Sequence, residues 1–137
     1  MLWALLIFCG CWLAYSNGAN DNFKGVATLF GSNTLGFRRD LILATLATFA
    51  GSVASLFLAR TLVKSFSGNG FIPDEFVGSV PVFVAVSAAA AGTILLATYL
   101  GMPTSTTHAL TGGLLGVGLV IGGSYVQWLK LWSSFLL

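Results

Sequence analysis

Charge is what this sequence has least of: only 7% of its 137 residues are Asp, Glu, Lys or Arg, against roughly 25% in soluble domains. A water-soluble globule is excluded on that ground. The ten charged residues are Asp21, Lys24, Arg38, Arg39, Asp40, Arg60, Lys64, Asp74, Glu75 and Lys130, and seven of them lie between Arg38 and Glu75 in two clusters parted by an apolar run. The net charge of +2 forms no basic face or stripe, so nucleic acid is not an expected partner. Cysteine is scarce too. Cys9 and Cys11 stand two apart in an apolar segment, where helical neighbours point different ways, so no disulfide is expected. His108 is the single histidine and has no ligand partner at zinc spacing. No Lys or Arg precedes the N-terminal apolar run and no small-x-small site follows Tyr15, so a cleaved signal peptide is not expected.

Apolar residues are abundant, at 56% with a mean hydropathy of +0.91. A membrane-spanning helix needs about 20 of them in succession. Leu41 to Lys64 and Phe76 to Leu100 meet that length as full spans, the first with a small-residue face at Gly51, Ser52, Ala54 and Ser55 that allows close helix approach. Two other stretches are interrupted. Leu2 to Tyr15 is too short to cross alone, and Ser16 to Asn22 intervenes before a helical pattern resumes from Phe23 towards Gly31. Residues 105–121 form a short apolar run behind Gly101, Pro103 and a series of hydroxyls, and Tyr125 to Leu137 is an interfacial helix or a partial span carrying Trp128, Lys130 and Trp132. The expected fold is all-α: a polytopic transmembrane helix bundle, residues 1–137 forming one module, with two discontinuous helices. Unwound backbone is tolerated in a membrane only where protein encloses it, so the two interruptions mark the candidate site.

Asp21 stands in the first interruption. A carboxylate inside a span costs about 2.5–3.5 kcal/mol on insertion scales, so its presence points to function. The plainer alternative is a segment that ends there, with Asp21 capping a following helix in water. Asn17, Asn20 and Asn22 surround it with amide oxygens for a small cation and NH groups for an oxyanion. The second interruption sets Thr104, Ser105, Thr106, Thr107 and His108 behind Pro103. Hydroxyl residues there suit the first turn of a helix, whose free NH groups and dipole favour an anion. A hydroxyl cap at the membrane surface is the plainer alternative.

Together these stretches resemble the signatures of the inorganic phosphate transporter family, the sodium- or proton-coupled symporters that include sulfate permeases. The first is Gly18-Ala19-Asn20-Asp21, and the second runs from Gly101 through Met102-Pro103-Thr104-Ser105-Thr106-Thr107-His108 to Ala109-Leu110, followed by Gly112 and Gly113. The resemblance covers residues 10–124 and implies one half of an inverted-repeat transporter. It implies cation-coupled symport of phosphate or a similar tetrahedral oxyanion, with Asn20, Asp21, Ser105, Thr106 and Thr107 lining the anion and coupling-ion site and His108 close by. Sodium at Asn20 and Asp21, or a proton, is the implied coupling ion, and no other cofactor is expected. Where the family commonly has a second Asn, this chain has Lys24. Its ammonium would replace a bound sodium ion, supply charge to the anion, or pair structurally with Asp21.

A single module leaves the site open on one side. The expected partner is an oppositely inserted second copy, a complementary half-transporter, or the rest of a longer chain. Arg38 and Arg39 on one side balance Arg60 and Lys64 on the other, which leaves little orientation bias. The resulting expectation is a multi-pass protein of the cell membrane that carries phosphate and is not an enzyme. The alternatives are a sulfate permease, a non-transporting membrane subunit and, further off, a channel.

Overall fold

A computed structural model describes residues 1–59 and 72–122; the expected segment from Tyr125 to Leu137 lies outside them. The described elements are helical. Helix α1 spans Leu2–Asp21, a 3-10 turn spans Lys24–Val26, and α2 spans Ala27–Gly31. Helix α3 spans Phe37–Leu58, a second 3-10 turn spans Asp74–Phe76, α4 spans Val80–Tyr99 and α5 spans Thr106–Gly122. Three segments, Leu2–Gly31, Phe37–Leu58 and Val80–Tyr99, are long and apolar enough to cross a membrane, with α5 shorter. The protein is a transmembrane helix bundle.

The first interruption differs from expectation in position. The backbone stays helical through Ser16–Asp21 and breaks only at Asn22 and Phe23. Two of its polar side chains are satisfied across helices, Asn17 by Thr106 and Asn20 by Thr98, and tertiary partners of this kind override the modest helix propensity of Asn. The chain then turns sharply. Asn33 adopts a positive φ of 59° behind α2, and the NH groups of Asn33 and Thr34 return to Phe30 and Leu29, closing a Schellman-type end. The second interruption falls where expected, between Tyr99 and Thr106.

The packed unit consists of α1, α4 and α5. Helix α1 lies along α4, and α4 folds back onto α5 through residues 100–105. Gly101 makes that reversal possible, at φ +68°. Its NH returns to Thr98 and that of Met102 to Ala97 at 2.8 Å, a Schellman cap that an L side chain would strain. Between the helices sit small or branched residues: Ala90, Ala91 and Ile94 are buried on α4, and Val82, Val86, Leu114 and Ile72 form an apolar cluster. In a bilayer the lipid tails are as apolar as the core, so close packing of this kind replaces the hydrophobic effect as the main source of helix association.

At Gly113 α5 lies close against α4: a Cβ there would lie 3.2 Å from the Val86 carbonyl oxygen and 3.3 Å from its Cγ1. A Cβ at Gly112 would meet nothing within 4 Å. Gly113→Val should therefore destabilise the purified protein by roughly 1–3 kcal/mol, the usual cost of overpacking, and lower its unfolding temperature in detergent. Gly112→Val should shift that temperature much less; equal shifts would place the contact elsewhere.

Candidate functional site

Three helix ends meet at one place: the C-terminal ends of α1 and α4 and the N-terminal end of α5. Asn20 joins them. Its amide nitrogen donates to Thr98 Oγ1 at 2.9 Å and to the Met102 carbonyl at 3.3 Å. Its amide oxygen accepts from the Thr104 backbone NH at 3.2 Å and from Lys24 Nζ at 2.7 Å. One side chain thus ties α1 to α4, to the loop before α5 and to the 3-10 turn, with every donor and acceptor matched to its partner.

Asp21 follows directly. Lys24 Nζ lies 2.5 Å from Asp21 Oδ1 and also donates to the Thr104 carbonyl at 3.2 Å. Thr106, the first residue of α5, donates to Asn17 and reaches Asp21 Oδ2 at 3.4 Å. The acidic and basic side chains are about two-fifths exposed, so the cluster is open on one face. The positive end of the α5 dipole and the ammonium point towards the same space as the carboxylate. Such a site offers a donor-rich surface with one strong acceptor.

The other expected residues divide into two groups. Ser105 caps α5: the His108 NH approaches its hydroxyl at 3.4 Å, and Ser105 Oγ shares a 2.7 Å hydrogen bond with Thr107 Oγ1. Ser105 and His108 also line an apolar groove of about 1080 Å³ between α4 and α5, with Thr104, Thr93, Ala89, Gly112 and Gly116 among its walls. Asn22 turns the other way. Its amide donates to Thr45 Oγ1 at 3.1 Å and accepts from Thr48 Oγ1 at 2.8 Å, which fastens α3 beside the break. The structure therefore gathers Asn17, Asn20, Asp21, Lys24, Thr104 and Thr106, places Ser105, Thr107 and His108 at the rim, and sends Asn22 to α3. Among the described residues no group of His, Cys, Asp and Glu side chains could hold a metal ion.

Sequence reasoning missed Thr98 and the pair Thr45 and Thr48. Each is a hydroxyl in an apolar helix, and two of them also donate to their own backbone, Thr98 to Ile94 and Thr45 to Leu41, both at 2.8 Å. Such a residue gives no signal until its cross-helix partner is known.

An apolar bundle that brings broken or capped helix ends together around a carboxylate, an ammonium and hydroxyls defines an integral membrane protein with a polar cluster at its joined helix ends. The sequence profile of the phosphate transporter family matches residues 17–137, and the chain belongs to that family. It is similar to the chloroplastic inorganic phosphate transporter 2-1 of Arabidopsis thaliana, 36% identical over 137 residues, which is 96% of this chain and 22% of that protein. It is also similar to a protein named probable low-affinity inorganic phosphate transporter in Bacillus subtilis, 28% identical over 144 residues, covering all of this chain and 41% of the relative. The chain thus spans less than half the length of these relatives. No solved structure matches it.

Removing the joint should loosen the loop before α5. In Asn20→Ala the Thr104 NH loses its acceptor, and a hydrogen bond worth about 1 kcal/mol corresponds to a several-fold change in an opening equilibrium. Amide hydrogen exchange at Thr104 should quicken by about fivefold while exchange within residues 86–94 of α4 stays unchanged. Uniform quickening along α4 would show instead that the substitution unfolds the helix pair.

Proposed function

We propose that this chain supplies one half of the binding centre of a cation-coupled inorganic phosphate transporter in the cell membrane. The observation that carries this reading is the meeting of Lys24, Thr106 and the N-terminal end of α5 with Asp21 in one open cluster. Near neutral pH phosphate still carries a proton that it can donate, whereas sulfate carries none. A centre with an ammonium, hydroxyls and helix NH groups for the anion's oxygens, and a carboxylate for its proton, suits phosphate over sulfate. Membership of the phosphate transporter family and the names of its relatives support the same substrate.

Thr106, Asp21 and Lys24 have the central parts in this reading. Thr106 and the α5 end receive the anion's oxygens, Asp21 accepts its hydrogen, and Lys24 occupies the place where a sodium ion would otherwise neutralise Asp21. Coupling then falls to protons. Ser105, Thr107 and His108, at the exposed rim, meet the anion as it enters or leaves. The open face of the cluster is closed by a second module, in the way that the greater length of the relatives suggests; an oppositely inserted copy of this chain or a complementary half would both serve.

Reconstitution into proteoliposomes tests the assignment. Asp21→Asn should lower phosphate uptake by about ten- to a hundredfold, the weight of one hydrogen bond to a charged group of roughly 1.5–3 kcal/mol, while leaving the protein folded and inserted. Unchanged uptake would remove Asp21 from the centre. At fixed pH the unaltered chain should take up phosphate at a rate independent of sodium, and Lys24→Asn should make the rate depend on it. A steep sodium dependence in the unaltered chain would contradict the role given to Lys24.

A further inference from the structure

Thr98 stands near the C-terminal end of α4, the helix whose Ala90, Ala91 and Ile94 are buried in the bundle. A hydroxyl has one hydrogen to give, and that of Thr98 goes to the Ile94 carbonyl at 2.8 Å. The oxygen is then left as an acceptor, and the Asn20 amide nitrogen donates to it at 2.9 Å. Thr98 can therefore receive the NH2 end of that amide and not its carbonyl end. The Asn20 oxygen is turned the other way, where it accepts from Lys24 Nζ at 2.7 Å, and the same ammonium donates to Asp21 Oδ1. Donors thus follow one direction from Lys24 through Asn20 and Thr98 to the Ile94 carbonyl. Hydrogen bonds in such a chain polarise and strengthen one another.

The terminal torsion of an Asn side chain is soft, so its partners decide how the amide faces. Two partners hold the nitrogen end of Asn20. The bond to the Met102 carbonyl, at 3.3 Å, is longer than an ordinary N–H···O bond, which leaves Thr98 as the main anchor. Of the four partners of Asn20, Thr98 alone is carried by a long helix. Met102 and Thr104 belong to the non-helical stretch between α4 and α5, and Lys24 belongs to the 3-10 turn.

We propose that Thr98 is a positioning residue of the anion centre: acting through Asn20, it fixes the Lys24 ammonium beside Asp21 without itself touching the anion. Its part in handling phosphate rests on the reading above, whereas the placement of Lys24 does not. Valine has nearly the shape of threonine, so Thr98→Val keeps the packing of α1 on α4 and removes only the acceptor. The amide then turns towards other acceptors, and Lys24 loses the Asn20 oxygen. An ammonium with fewer fixed partners presents a less ordered charge to the anion, which weakens binding more than it slows transit.

Solid-state NMR of the full chain in lipid, labelled with 15Nζ-lysine and 13Cγ-asparagine and free of phosphate, reads the Lys24–Asn20 contact alone. The contact should be present in the unaltered chain and absent in Lys24→Arg, which assigns it. Thr98→Val should lose most of it, and Thr98→Ser, which restores the hydroxyl, should recover it. Thr93 bonds to its own Ala89 carbonyl at 2.8 Å and to no other helix among the described residues, so Thr93→Val should leave the contact intact. An undiminished contact in Thr98→Val, equal loss in Thr93→Val, or no recovery in Thr98→Ser would each overturn the proposal. Should Thr98→Val fail to fold, Thr98→Ala makes the same deletion with the same expected outcomes. In proteoliposomes, Thr98→Val should raise the KM for phosphate about fivefold, the weight of one hydrogen bond, with kcat held within about twofold. Lys24→Met should raise KM at least as much; a rise there with none in Thr98→Val would overturn the positioning role. If the unaltered chain takes up no phosphate, the phosphate reading fails and the NMR contact alone decides Thr98.

Discussion

The four hydrogen bonds of Asn20 are the constraint on which the rest of the site depends. Helix ends carry backbone groups with no partner inside the helix, and a membrane offers little water to satisfy them. Where the chain stops α4 and starts α5 within a few residues, something must hold the exposed backbone. The Asn20 amide does so, donating to the Met102 carbonyl and accepting from the Thr104 NH. Because Asn20 also binds Thr98 and Lys24, the same bonds that secure the loop place Asp21 next to the first turn of α5. Stability of the reversal and assembly of the centre have one origin.

Outside this joint, the described residues pack in two ways. Helices α1, α4 and α5 share a seam of Ala, Gly and branched residues, with Gly113 against Val86. Helix α3 rests on a small patch, an aromatic trio and the pair of bonds from Asn22. Most of its large apolar side chains, Ile42, Leu46, Phe49 and Leu56 among them, are exposed. In a bilayer that surface is available to lipid or to another protein segment. Among the described residues, α3 and the α4–α5 hairpin are joined through the Lys24–Val26 turn, which packs on α3 while Lys24 donates to the Thr104 carbonyl.

Much of this was legible in the sequence because polar residues in an apolar chain are conspicuous. Asp21, Asn17, Asn20 and Thr106 were singled out by composition and spacing, and the structure brings them together. What spacing could not supply was direction. Asn20 and Asn22 are two residues apart, on either side of the point where α1 ends, so they face different helices. The polar run from Ser16 to Asp21 suggested unwound backbone, yet it remains helical because Asn17 and Asn20 find partners across the seam. The burial of Asp40 was hidden for a different reason. Its neighbours Arg38 and Arg39 mark a polar loop, and the apolar run begins at Leu41, but the helix begins earlier, at Phe37. That first polar turn carries the carboxyl inward, and hydropathy alone does not register it.

The central claim is that these joined helix ends hold phosphate through Lys24 and the start of α5. Solid-state NMR of the 15Nζ-lysine-labelled chain in lipid, with phosphate bound, measures it most directly. The account predicts that the Lys24 ζ-nitrogen, assigned by its absence in Lys24→Arg, is dephased by 31P at direct ion-pair distance. Saturable phosphate binding with no dephasing at that nitrogen would contradict it.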